Sequence, residues 1–98
     1  MALKIKWTKR ASKTFYNTAE YIESEWGERS AKKFVTKVNK FLQLLKKNPK
    51  VGKIELEEKG IRGYVFSRQT TVLYRIKNDQ IILLKFFDNR QYPKKKFK

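Results

Sequence analysis

The side chains that could do chemistry in this chain are arginines, lysines, tyrosines and a few acids, because its 98 residues include no histidine and no cysteine. The commonest general base, the commonest metal ligand and every thiolate site are therefore missing. Neither a metal nor another cofactor is expected. The chemistry that remains open is metal-free cleavage of RNA, in which cations stabilise the phosphate, a base deprotonates the 2′-hydroxyl and a donor serves the leaving oxygen.

Candidates for these roles lie mainly in the last two-fifths of the chain. The candidate catalytic residues are Arg62, Arg75, Arg90 and Tyr92. The candidates for binding nucleic acid or a partner are Lys53, Arg68, Lys94, Lys95 and Lys96. The base is left open between Glu55, Glu57, Glu58 and a lysine of lowered pKa. Each residue also has a simpler interpretation, because surface arginines are often solvated or bind a protein, and acids in a connector balance nearby lysines.

The composition predicts a basic protein that needs an acidic partner. Twenty-five lysines and arginines against nine acids give a formal charge of +16, whose self-repulsion an anionic partner would relieve. Nucleic acid, the ribosome or an acidic protein would satisfy this condition. No apolar run approaches the ~20 residues that span a bilayer, so no membrane partner is expected. The charged N-terminus lacks a secretory signal, which favours the cytoplasm.

The first half of the chain predicts a strand followed by two helices. Leu3, Ile5 and Trp7 alternate with polar residues, as in a short strand at a sheet edge. Ser12 offers an N-cap for a first helix that ends at Gly27. The residues expected on its buried face are Phe15, Ala19, Ile22 and Trp26.

The second helix has the most regular pattern in the sequence and ends at Asn48-Pro49. Its apolar stripe consists of Ala31, Phe34, Val35, Val38, Phe41, Leu42 and Leu45. Because little more than Gly27 separates the two helices, they are expected to form a hairpin.

The remaining residues predict a connector and an antiparallel meander. Lys50 to Lys59 is the connector, and the strands are Ile61 to Phe66, Thr71 to Lys77 and Gln80 to Phe87. Asn78-Asp79 is a two-residue turn. The prediction is a single α+β domain over residues 1–98, with both helices on one face of the sheet and a basic tail at about 89–98. Alternation then places Val72, Tyr74 and Ile76 toward the helices and Arg75 on the open face.

Several of these segments together resemble the RelE/ParE superfamily of toxins from type II toxin–antitoxin systems. The resemblance covers essentially the whole chain. It rests on the order of elements, on the stripe of the second helix, and on Ile61-Arg62, Val72-Leu73-Tyr74-Arg75-Ile76, Ile81-Ile82-Leu83-Leu84 and Arg90-Gln91. It implies a small basic toxin that is neutralised by a cognate acidic antitoxin.

The superfamily has two branches, which differ in target. RelE-like members cleave mRNA on the ribosome with basic and tyrosine or histidine residues on the open sheet face, whereas ParE-like members lack that set and inhibit DNA gyrase. Arg62, Arg75 and Arg90 match positions that are basic in both branches, and Tyr92 lies near the tyrosine or histidine of the nucleases. The missing histidine and Thr71 or Val72, where several nucleases carry arginine, favour the ParE-like branch.

Three hypotheses follow from the sequence. The first is a toxin that inhibits gyrase by binding it, and the second is a ribosome-dependent mRNA endonuclease. The third is a nucleic-acid-binding module without toxicity. The lysine-rich tail fits any of them, either as a phosphate-binding arm or as a solvated terminus.

Overall fold

The computed structural model describes residues 3–67 and 70–88. Within them the chain forms a 3-10 turn at Glu57–Lys59, two helices and five strands. The helices are α1 (Lys9–Trp26) and α2 (Glu28–Lys47); the strands are β1 (Lys4–Trp7), β2 (Lys53–Leu56), β3 (Ile61–Val65), β4 (Thr70–Lys77) and β5 (Gln80–Asp88). The strands make one sheet of order β1-β5-β4-β3-β2. This is the predicted α+β architecture, with β1 at one edge and parallel to β5.

The start of α1 differs from the prediction. The N-cap is Thr8 and not Ser12, so the helix begins at Lys9. The Thr8 hydroxyl accepts a hydrogen bond from the Ala11 amide at 3.0 Å and donates one to the Leu83 carbonyl at 2.8 Å. One side chain therefore caps the helix and fixes its first turn to β5, a contact that local sequence does not reveal.

The core lies between the helix hairpin and one face of the sheet. From α2, the buried residues are Ala31, Phe34, Val38, Phe41 and Leu45, as the stripe predicts. Val35 was expected among them, and that expectation is wrong, because its side chain is 37% exposed. The buried residues of α2 face buried residues of the neighbouring strands β4 and β5, which are Val72, Tyr74, Ile81, Leu83 and Phe86. Fully burying a large apolar side chain contributes about 1.5–3 kcal/mol, so this cluster dominates the stability of the fold.

Trp26 was expected in this core, and that expectation is wrong. Its side chain is 53% exposed at the end of α1, where it packs edge-on against Tyr21 with ring centroids 5.8 Å apart. The chain turns at Gly27, whose φ of 94° ends α1 one residue later. Phe15, Ala19 and Ile22, which precede Trp26 on the expected face, are partly buried against the core.

The predicted connector also contains a strand. Lys53–Leu56 pairs antiparallel with β3 as the second edge of the sheet, with a bulge between Ile54 and Leu56. The three acids near this segment obscured its strand character, since glutamate is depleted in strands. The turn between β4 and β5 agrees with the prediction, because Asn78 has the positive φ (55°) that such a turn needs.

Candidate functional site

The surface left uncovered by the helices is the opposite face of the sheet, called here the open face. Cross-strand register identifies its residues, since directly opposed residues project to the same side. Arg75 of β4 lies between Ile61 of β3 and Ile82 of β5, and Leu73 lies between Gly63 and Lys85. Arg75 is thus on the open face, as the alternation of β4 predicts.

Arg75 has an unmet hydrogen-bonding requirement. Its Nε atom is buried and has no hydrogen-bond partner in the described part of the chain. The two residues opposite it are isoleucines, which offer no acceptor. A buried donor without a partner costs free energy, and a carboxylate or phosphate oxygen that reached it would recover that cost. Arg75 is therefore a cation of the open face whose hydrogen-bonding capacity is not used up within the described residues.

Arg62 does not join Arg75, which corrects the grouping of the two in one candidate set. Arg62 is opposite Tyr74, so it projects to the side of the helices. Its guanidinium donates hydrogen bonds to the carbonyls of Gly52, at 2.8 Å, and Lys50, at 3.4 Å. Arg62 holds the loop after α2 in place, which is a structural role.

Tyr74 fixes the same loop from within the core. Its hydroxyl donates to the Pro49 carbonyl at 2.7 Å and accepts from the Gly52 amide at 2.8 Å. A Cβ atom at Gly52 would lie 2.6 Å from that hydroxyl, so the close approach requires glycine. Burial raises the pKa of Tyr74, although the Gly52 amide and the Arg62 charge oppose the shift. The hydroxyl therefore stays protonated and keeps both hydrogen bonds at neutral pH.

Two candidates from the connector reach the open face. Lys53 is exposed and lies beside Gly63. The side chain of Glu55 passes over the same glycine, since a Cβ atom there would lie 2.9 Å from Glu55 Cγ. Glu57 and Glu58 are instead exposed in the 3-10 turn after β2. Of the three acids considered as a base, Glu55 is thus the one over the sheet.

Lys85 is a residue of the open face that the sequence prediction did not name. A bulge between Leu73 and Tyr74 shifts the register, so that Lys85 is opposite Leu73 and not on the helix side. Burial and, to a lesser degree, the charge of Arg10 lower its pKa. Its Nζ atom also lies 5.3 Å from the centroid of the Phe87 ring. A lysine of lowered pKa was expected in general terms, but the bulge that places it is not visible in the sequence.

An apolar groove of about 260 Å³ runs beside these residues. Its apolar lining consists of Leu56, Ile61, Leu73 and Leu84. Its basic lining consists of Arg10, Lys59 and Lys85, and Thr8 completes it. The groove can therefore receive apolar side chains of a partner while its cations attract acids that flank them.

The other candidates lie outside the described residues. These are Arg68, Arg90, Tyr92, Lys94, Lys95 and Lys96. Their assignments remain predictions from the sequence. No helix of the described residues is long and apolar enough to cross a membrane.

The match to a family extends over nearly the whole chain. Residues 5–92 match the sequence model of the ParE toxin of the type II toxin–antitoxin system parDE. The chain belongs to the ParE toxin family. The predicted resemblance to RelE/ParE toxins is thereby confirmed, and the chain is a toxin of the type II toxin–antitoxin class. Among curated proteins, no sequence matches it significantly.

Solved structures support the fold of this ParE family member. The chromosomal ParDE system from P. aeruginosa has a chain that is 21% identical, with a TM-score of 0.74, over 89% of this chain and 96% of that one. The YoeB/ParE toxin from Agrobacterium tumefaciens is 14% identical, with a TM-score of 0.63. The match covers 92% of this chain and 100% of that one. The YoeB-YefM complex from Staphylococcus aureus has a chain that is 16% identical, with a TM-score of 0.58. The match covers 88% of this chain and 95% of that one. At these identities the similarity is one of fold.

Proposed function

We propose that this toxin inhibits growth by binding DNA gyrase, without catalysis, until a cognate antitoxin neutralises it. The observation that carries the proposal is the separation of Arg62 from Arg75. RelE-like nucleases use a set of basic and tyrosine or histidine residues on the open face, and here Arg62, one of the four candidates for that set, faces the helices and bonds a loop instead. Membership of the ParE family supports the same branch.

The groove on the open face is the proposed contact surface. Its apolar lining and its three cations suit a partner segment that alternates apolar and acidic side chains. We propose that an acidic antitoxin binds there, by analogy with the toxin–antitoxin complex of similar fold from Staphylococcus aureus. Arg75, whose Nε atom has no partner among the described residues, would offer its guanidinium to a carboxylate of the partner.

A supercoiling assay with purified gyrase tests the proposal directly. Relaxed plasmid, ATP and gyrase are incubated with increasing amounts of the full chain, and supercoiled product is measured. Inhibition is expected, together with weaker inhibition by Arg75→Gln, which removes one of the positive charges of the open face. Lys13→Gln is the matched control, because Lys13 is exposed on α1. Undiminished supercoiling at a large excess of folded toxin would reject gyrase as the target.

The second candidate function is ribosome-dependent mRNA cleavage. Two observations favour it: the lowered pKa of Lys85 and the position of Glu55 over the sheet, each of which suits a general base. Primer extension on translated messages during expression distinguishes the candidates. The gyrase proposal predicts no new 5′ ends. New ends that disappear in Arg90→Ala, with folding retained, would instead support the nuclease.

The third hypothesis, a binding module without toxicity, is disfavoured by membership of a toxin family. Induction of the chain in a host without the antitoxin tests it, and growth arrest is expected. Normal growth with folded chain present would contradict both toxic functions at once.

A further inference from the structure

The outer side of α2 carries a concentration of charge that the proposed function does not use. The helix contains seven lysines and arginines and one acid. Five of the cations line one continuous surface: Arg29, Lys32, Lys33, Lys37 and Lys40. This surface, called here the basic face of α2, is exposed and lies opposite the stripe that packs on the sheet. It therefore points away from the open face.

Four of these cations have no carboxylate partner within the described residues. Lys32 pairs with Glu28 at 3.1 Å, and the exposed pair contributes little. Arg29, Lys33 and Lys37 follow each other at i, i+4, where like charges destabilise a helix by about 0.2–0.5 kcal/mol per pair. Neighbours are about 6 Å apart along the axis, which is within the ~8 Å screening length of physiological salt. A polyanion would relieve this repulsion.

The lining identifies the class of polyanion. Apart from the five cations it consists of Glu28 and Thr36, so it includes no apolar or aromatic side chain among the described residues. Protein partners need apolar or aromatic anchors, and single-stranded nucleic acid needs aromatic rings on which bases stack. A row of point charges without apolar anchors or aromatic rings suits a nucleic-acid duplex, which presents one negative charge per ~1.7 Å of its axis.

Among duplexes, the geometry favours DNA. Arg29 to Lys40 spans about 16 Å of helix axis, equivalent to about five base pairs. The major groove of B-form DNA is about 12 Å wide and admits a helix, with phosphates on both sides. The major groove of duplex RNA is too deep and narrow for this. We propose that the basic face of α2 binds the phosphate backbone of double-stranded DNA without sequence preference.

Fluorescence anisotropy of a labelled 20-base-pair DNA duplex with the full chain tests this proposal. Four phosphate contacts predict a slope of log K against log salt near −3.6, which is roughly a 150-fold loss of affinity between 50 and 200 mM salt. Replacing Lys33, Lys37 and Lys40 by Gln leaves about one contact, so the loss over the same range should fall to roughly three- to fourfold.

The matched control replaces three lysines of the other side of the sheet. Lys4, Lys6 and Lys77 are exposed, and pairing with Gln80 and Ile82 places them away from the basic face. The control lowers the net charge equally and should keep the slope near −3.6. Lysine and glutamine have similar helix propensities, so the α2 variant should fold normally. If it does not, single Lys33→Ala and Lys37→Ala variants should each reduce the slope by about 0.9.

The outcomes separate this proposal from the alternatives. Absence of DNA binding at 50 mM salt, an equal effect of the two triple variants, or tighter binding to duplex RNA or to polyglutamate would each overturn it. The supercoiling assay contains plasmid DNA that the basic face would also bind, so inhibition there supports gyrase binding only if the α2 triple variant retains it.

Discussion

Replacing Tyr74 by Phe should destabilise the protein strongly, although it removes a single oxygen atom. Tyr74 is fully buried, and its hydroxyl is shared between the Gly52 amide and the Pro49 carbonyl. Phenylalanine keeps the ring and its packing but can neither donate nor accept. The loop that follows α2 then loses both of these attachments to β4.

The two lost hydrogen bonds differ in cost. The Gly52 amide is buried and would be left without an acceptor, a penalty of about 1–3 kcal/mol. The Pro49 carbonyl is only partly buried, so water can replace the donor and the net loss is about 0.5–1.5 kcal/mol. Together they give about 2–4 kcal/mol, a large part of the 5–15 kcal/mol typical of a domain.

Urea unfolding at pH 7, followed by circular dichroism, measures the change. With a slope near 1.5 kcal/mol per molar, the midpoint should fall by roughly 2 M. Tyr16→Phe is the matched control, because Tyr16 is 63% exposed, and its effect should stay within about 0.5 kcal/mol. A loss below about 1 kcal/mol in Tyr74→Phe would refute the reasoning and show that the loop rearranges to satisfy its own backbone.

The same residue predicts a loss of stability at alkaline pH. Because burial raises the pKa of Tyr74, the folded chain keeps a proton that the unfolded chain releases above pH ~10. The contribution of protonated Tyr74 to the free energy of unfolding is complete below that pH. It is lost as the pH rises through the pKa that Tyr74 has in the folded chain. The alkaline decline in stability should therefore be shallower in Tyr74→Phe. A decline of equal steepness in both proteins would contradict the assignment.

Three further predictions concern other positions. Arg62→Met should lower the free energy of unfolding, measured in urea, by about 1–2 kcal/mol, because the hydrogen bond to the Gly52 carbonyl is lost. An unchanged free energy of unfolding would return Arg62 to the candidate site. Lys85 should titrate below its ordinary pKa in NMR spectra of lysine Cε, and Arg10→Gln should raise that pKa only in part, since burial is the larger cause. Between the pKa of Lys85 in the folded chain and its ordinary value of ~10.4, the unfolded chain binds more protons than the folded chain. The contribution of Lys85 to the free energy of unfolding should therefore rise with pH over that range. Gly60→Ala should cost about 1 kcal/mol in thermal unfolding, because the φ of 65° disfavours a side chain, and Gly60→Asn should cost less.

The sequence predicted those parts of the fold that depend on local pattern. The stripe of α2, apart from Val35, and the turn at Asn78 agree with the structure because periodicity and turn chemistry decide them. β2 was missed because Glu55 and the two glutamates that follow the strand argue against a strand, and pairing with β3 outweighs that preference. The parallel pairing of β1 with β5 joins segments far apart in sequence, so no local signal reports it.

The candidate site was predicted less completely, for a related reason. Alternation within β4 sufficed to place Arg75 on the open face. The side taken by Arg62 depends on the register between β3 and β4, and that of Lys85 depends on a bulge. Neither can be read from one strand alone. Arg90 and Tyr92 lie outside the described residues and stay predictions.

The pairing of β1 with β5 also affects how the chain reaches this fold. Lys4 is aligned with Gln80, and Trp7 stacks on Phe86 with ring centroids 5.7 Å apart. Contacts over such a sequence separation form only after a large loss of loop entropy, which slows folding. On the ribosome, β1 and the cap of α1 must wait until β5 has been made. The sheet is therefore completed only after β5 has been synthesised, so the edge formed by β1 is among the last parts of the fold to form.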